Sequence, residues 1–167
     1  MSNRFRPALI ASVLAAAAGL VGCGDDATTP TPVTNLPDVA GSYYSSWTLQ
    51  VLRKSDGFQK QFSCPGQMTL SASASGALTG FAVVEPPCAP ESYDLTGKLL
   101  PGGALEITTG GPPPTEGPCP GGKNVSYTGQ ATPATGRASS LSLRGVTDVT
   151  CPQFGEHQFT YLIESNR

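Results

Sequence analysis

From Tyr43 to Glu164 the apolar residues recur at a spacing of two, in short runs separated by clusters rich in Gly and Pro. Alternate residues of a pleated strand share a face, so this spacing builds half-buried strands. No stretch beyond Cys23 sustains the 3.6-residue period of an amphipathic helix. The body of the chain is therefore expected to be all-β, an antiparallel up-and-down meander of about eight or nine strands. The first strand, Tyr43–Val51, puts Trp47, Leu49 and Val51 on one face and Ser46, Thr48 and Gln50 on the other. Asp56-Gly57 is a type I′ hairpin signal, and a turn centred there sets Val51 opposite Phe62 and Leu49 opposite Cys64.

Three further hairpins follow. Gln67–Ser73 with Ala77–Glu85 turns at Gly76, which sets Met68 against Val84 and Leu70 against Ala82. Ser92–Leu100 with Ala104–Thr109 turns at Pro101-Gly102-Gly103, matching Leu99 with Leu105 and Gly97 with Ile107. The fourth turns within Pro133–Gly136 and sets Tyr127 against Leu143 and Gly129 against Leu141. A last strand, His157–Glu164, carries Phe159, Tyr161 and Ile163 on one face. In these registers Cys64 faces Cys88 and Cys119 faces Cys151, each pair across the open end of its own hairpin, where a disulfide can span. All four sulfurs fall at one end of the sheet, so a crossed pairing such as Cys88–Cys119 stays open.

Gly80, Gly97 and Gly129 each stand mid-strand on an apolar face, in the repeated segments Leu78-Thr79-Gly80, Leu95-Thr96-Gly97 and Tyr127-Thr128-Gly129. Glycine there permits tight bending and close backbone approach, which favours a small closed barrel; a two-sheet sandwich is the alternative. Ser75–Gly80 followed by Ser92–Gly97 resembles two consecutive strands of avidin- and streptavidin-type barrels. The resemblance spans about twenty-five residues and implies a barrel of lipocalin- or avidin-like build. Those proteins hold biotin with several tryptophans and with Tyr and Ser after the first Leu-Thr-Gly. This chain has Phe81-Ala82-Val83-Val84 there and a single tryptophan, Trp47, which argues against biotin.

The N-terminus carries an address. Arg4 and Arg6 precede the apolar run Ala8–Leu20, and small residues lead to Cys23, the pattern of a secretory signal. The run is shorter than the roughly 20 residues a membrane-spanning helix needs. Leu20-Val21-Gly22-Cys23 resembles the lipobox of bacterial lipoproteins. That resemblance implies cleavage of a signal peptide at 1–22, lipidation of Cys23, and anchoring of the mature chain to a bacterial membrane, facing the periplasm or exterior. Residues 23–37 are then the lipidated cysteine and a Pro/Thr-rich tether too poor in apolar residues to fold, and 38–167 are one barrel domain.

With the signal removed, eight Lys/Arg stand against twelve Asp/Glu, a net charge near −4 with no basic cluster. Nucleic acid is thus not an expected partner. The cysteines lack metal-ligand spacing, and no metal or other cofactor is expected. His157, the only histidine, reads as a surface residue, and the carboxylates are scattered singly, so no catalytic set emerges and an enzyme is not expected. Asn124-Val125-Ser126 matches a glycosylation sequon by chance. Tyr43, Tyr93 and Tyr127 each begin a strand on its apolar face; meander order places them at the cysteine end, Tyr161 shares that face, and Trp47 joins them. Inward-facing Ala72, Gly80, Ala82, Gly97, Gly129 and Ala131 suggest free volume beneath these rings. The expected function is a lipid-anchored envelope barrel taking a small amphipathic ligand at that end. The competing expectation is a structural or interaction lipoprotein contacting another envelope protein or a glycan.

Overall fold

Eight antiparallel strands close into a barrel in the order of the chain, each paired with its sequence neighbours and the last with the first. The computed structural model describes residues 35–86, 91–110 and 124–167. The strands are β1 (Gly41–Arg53), β2 (Gln59–Ala72), β3 (Ala77–Val84), β4 (Glu91–Leu99), β5 (Ala104–Gly110), β6 (Ser126–Thr132), β7 (Ser140–Cys151) and β8 (Gly155–Asn166). The β1–β8 ladder runs from Tyr44↔Asn166 to Arg53↔His157, so neither strand is left as an edge and the sandwich alternative is excluded. The expected signal peptide (1–22), Cys23, most of the expected tether, Cys88 and Cys119 lie outside the described residues.

Alternation along the strands makes the core. Met68, Leu70, Leu78, Leu95, Leu105, Leu141, Leu143 and Ile163 point inward with at most 2% of their surface exposed. Burying a side chain of this kind stabilises by about 1.5–3 kcal/mol. The mid-strand glycines bring the walls together. A Cβ at Gly80 would stand 2.1 Å from Thr69 O, one at Gly97 2.0 Å from Glu106 O, and one at Gly129 2.0 Å from Ser142 O. The volume they free is not left empty, since Leu70 Cδ2 lies over Gly80 and Leu143 Cδ2 over Gly129. Ala72, expected inside, is exposed.

Three of the four expected registers are off by two residues. Leu49 pairs with Phe62 and Trp47 with Cys64; Met68 pairs with Ala82 and Leu70 with Gly80; Tyr127 pairs with Gly145 and Gly129 with Leu143. The β4–β5 register, Leu99↔Leu105 and Gly97↔Ile107, is as expected. The cause lies in the turns. Gly57 (φ 73°) and Gly76 (φ 83°) adopt the left-handed conformation at the last position of their loops, not at the centre, so each loop is centred one residue earlier than a glycine-centred turn. Arg53 and Asp56 close the first loop with a two-armed ion pair at 2.9 and 2.7 Å, and Asp56 Oδ1 accepts the Phe58 amide at 3.1 Å. In the Thr132–Ser140 connection the centre moves the other way, with Asp38 N donating to Gly136 O and Ala138 N donating to Asp38 O. A slip of two keeps every side chain on its face, which is why the faces were right where the pairings were not.

Two corrections follow. First, the β2–β3 and β6–β7 ladders sit two residues from the registers that led to Cys64–Cys88 and Cys119–Cys151, so those pairings no longer follow from register. Cys88 and Cys119 themselves lie outside the described residues, while Cys64 and Cys151 each have a partner. Second, Gln59–Ala72 is one strand of 14 residues rather than two. Pro65 does not interrupt it. Glu85 N donates to Pro65 O, and the reciprocal bond that proline cannot give lies on the β3 side, just beyond the last β2–β3 pair, Gly66↔Val84.

The two ends of the barrel differ. At the end holding Gly41, Gly76 and Gly102, the segment Leu36–Ala40 lies against the core, with Val39 fully buried and Leu36 packed on the cluster. Arg167 clamps it: Nη2 donates to Ala40 O at 2.6 Å and to Tyr43 Oη at 2.9 Å, while Tyr43 Oη donates to Val39 O at 2.9 Å. We call this the sealed end. The strand ends at Arg53 and Gln59, Val84 and Glu91, Gly110 and Ser126, and Cys151 and Gly155 lie at the other end, which we call the long-loop end. There β1, β2, β7 and β8 outrun the shorter β3–β6 and continue as a four-stranded wall.

Candidate functional site

Inside the long-loop end the aromatic side chains of four strands converge. Trp47 (β1) stacks on Tyr93 (β4) with ring centroids 5.9 Å apart and planes 19° from parallel. Tyr127 (β6) meets Tyr161 (β8) edge-on at 6.1 Å, and Tyr161 in turn meets Phe159 edge-on at 6.4 Å. Two inward glycines make room for the large rings. A Cβ at Gly66 would come 3.0 Å from Trp47 Nε1, and one at Gly145 2.9 Å from Tyr127 Cδ1. Glycine here is what lets an aromatic ring lie flat against the opposing strand.

Tyr93 Oη donates to Glu91 Oε2; the two residues are two apart on β4 and so share its inner face. Tyr127 is buried, Tyr93 and Tyr161 are partly buried, and all three phenols are held in the protonated form. Burial raises the Tyr93 pKa, and the hydrogen bond and charge of Glu91 raise it further. Burial also lifts Tyr127, with the neighbouring Tyr161 adding to the effect and Thr109 opposing it. Tyr161 is pushed up to about 12, chiefly by burial and then by the charge of Glu91 across the barrel. Thr109 is itself buried and satisfied, its hydroxyl lying 3.3 Å from Val125 N and 3.4 Å from Val125 O.

One polar atom breaks this pattern of satisfaction. Trp47 Nε1 is buried with no hydrogen-bond partner among the described residues, in a residue only 7% exposed. A buried donor left unmade costs about 1–3 kcal/mol, and native interiors leave few.

Of the five residues expected at the ligand end, Trp47, Tyr93, Tyr127 and Tyr161 are brought together and Tyr43 is not. Tyr43 lies at the sealed end, 1% exposed, in the Arg167 clamp. Counting β2 as two strands reverses the direction of everything after it relative to β1, and that error placed Tyr43 with Tyr93 and Tyr127. His157 also corrects the expectation of a surface residue. It is 8% exposed on the inner face, its Nδ1 3.0 Å from Gly155 O and its ring edge-on to Phe159. Glu91, Phe159 and His157 were missed as site residues, yet parity with Tyr93 and Tyr161 marks all three. Cys64 and Cys151 lie on the same inner face, and neither is without a partner. Among the described residues no three His, Cys, Asp or Glu side chains cluster as metal ligands.

A separate hollow of about 390 Å³ lies on the outer wall, lined by Gln50, Leu52, Gln59, Gln61, Gln158 and Thr160. It contains none of the expected site residues. No protein-family model matches the chain, and no curated protein is significantly similar to it in sequence.

Proposed function

We propose that this protein is a lipid-anchored component of a bacterial cell envelope whose barrel binds a small amphipathic ligand at the long-loop end. The unpartnered Trp47 Nε1, buried beside Tyr93, carries this reading. An acceptor atom on a ligand would recover the cost of that donor, while the surrounding rings would bury an apolar body. The lower barrel is filled by leucines, so the ligand is small and confined to the aromatic layer. The role is binding rather than catalysis. The lipobox at Leu20–Cys23 supports the anchor, and export supports pairing of Cys64, Cys88, Cys119 and Cys151 as two disulfides. Two tests apply. Mass spectrometry of the purified full-length protein should find a compound that co-purifies with the wild type and is lost in Trp47→Phe; an empty wild type that binds nothing from envelope extracts refutes the ligand site. A palmitate analogue should label the wild type and not Cys23→Ala; equal labelling refutes the anchor.

The amide-lined hollow at Gln50, Gln61 and Gln158 favours a second reading, a lipoprotein whose outer wall contacts a glycan. Loss of glycan retention after Gln61→Ala, with the Trp47 site intact, would select it.

A further inference from the structure

We infer that the ligand of the long-loop end carries a positive charge: an organic ammonium group attached to an apolar or aromatic body. This rests on the ligand site proposed above and names its chemistry. Glu91 is half-buried on the inner face, and among the described residues its polar partner is the neutral Tyr93 hydroxyl. The ion pairs among the described residues, Arg53–Asp56 and Lys54–Asp148, do not involve it. Arg53 shares the inner face of the projecting wall but is held by Asp56 and by the Phe58 ring, 5.1 Å from its guanidinium carbon. His157 directs Nδ1 at Gly155 O, away from that role. Lys60, on the inner face of β2, lies instead over the Phe62 ring at 4.8 Å, so among the described residues the half-buried carboxylate forms no ion pair and can take a cationic group of a ligand.

The rings point to the same sign. Glu91 holds Tyr93, which stacks on Trp47, and Tyr127, Tyr161 and Phe159 pack edge-on at the same end; the negative faces of aromatic rings attract cations. The Glu91 charge is felt at Tyr161 as well as at Tyr93, its hydrogen-bond partner. An anionic ligand would be opposed by both features, a neutral one would satisfy the rings alone, and an ammonium group is stabilised by both. Trp47 Nε1 remains for an acceptor elsewhere on the same molecule.

The single tryptophan reports binding directly. Trp47 emission of detergent-solubilised full-length protein would be titrated with benzyltrimethylammonium, benzyl alcohol and benzoate, which share a ring and differ in charge. The expected order has the ammonium tightest by about tenfold or more over the alcohol, with benzoate weakest. Glu91→Gln, close to isosteric, should remove most of the ammonium-over-alcohol preference. If the alcohol or benzoate binds as tightly as the ammonium, or if Glu91→Gln keeps the preference, the charge assignment is overturned while the ligand site stands. Binding of none of the three overturns both. The wild-type ranking decides the question even if the variant folds poorly.

Discussion

Gly129→Ala tests whether the barrel closes by close backbone approach. A Cβ at Gly129 would stand 2.0 Å from Ser142 O, 2.7 Å from Leu143 Cδ2 and 2.9 Å from Leu143 Cα. Ordinary contact is near 3.4 Å, so β6 and β7 must separate locally by more than 1 Å. Overpacking of this kind costs about 1–3 kcal/mol. Stretching two ladder hydrogen bonds beyond useful length adds about 1 kcal/mol each. The sum, about 3–5 kcal/mol, should lower the melting temperature by roughly 10–20 °C for a domain of this size. Two other glycines serve as controls. Gly57 has open space around it but a φ of 73°, so Gly57→Ala should cost only about 1–2 kcal/mol of left-handed strain. Gly110 has neither constraint, its nearest contact being Asp94 O at 3.9 Å, so Gly110→Ala should be neutral or stabilise by about 0.4–1 kcal/mol. Urea denaturation followed by circular dichroism and Trp47 emission would measure all three. If Gly129→Ala unfolds at the same urea concentration as Gly110→Ala, the inward glycines do not set strand spacing and the closure argument is wrong.

Other outcomes follow from the same structure. Ser45 Oγ and Ser165 Oγ are buried 2.8 Å apart, so either Ser→Ala alone should cost about 1–3 kcal/mol by orphaning its partner. The Ser45→Ala/Ser165→Ala double variant should recover most of that loss in a double-mutant cycle, and additive losses would show that the pair is not coupled. Tyr43→Phe removes the hydroxyl that links Val39 O and Arg167 and should destabilise by about 1–2 kcal/mol, with faster amide exchange confined to the sealed end. Alkaline pH should be destabilising, because buried phenols have folded pKa values above their unfolded value near 10. Their stabilising contribution is complete below pH 10 and is lost as pH rises through the folded value, about 12 for Tyr161. Absorbance at 295 nm should therefore show tyrosines that ionise only as the barrel unfolds, and full ionisation near pH 10 in a folded protein would contradict their burial.

The aromatic site was partly legible. Trp47, Tyr93, Tyr127 and Tyr161 share an inner face because each falls on the apolar parity of its strand, and a period of two is visible in any sequence. The part that was not legible has one source. Pro65-Gly66 looks like a break between strands, and only the ladder shows that the missing proline donor faces the side where β3 has already ended. Reading a break there sent Tyr43 to the wrong end. Glu91 and His157 were passed over because a charged or polar residue near a strand terminus is usually solvated, and only barrel closure turns those termini inward.

By itself the sequence determined which face each strand buries and that the body is a β meander, because these depend on alternation and on local backbone preference. It could not choose between registers that differ by two residues, since such registers bury identical faces and leave the hydrophobic pattern unchanged. The tertiary structure made that choice through the left-handed glycines at the ends of their loops and the Asp38 contacts across the Thr132–Ser140 connection. It also decided closure, because the pairing of Trp47 with Ile163 joins residues far apart in the chain and has no local signature. The candidate site exists only as a consequence of that closure. The inward rings, the Glu91 carboxylate and the Trp47 indole N–H come to one end of one barrel when β8 meets β1, and not before.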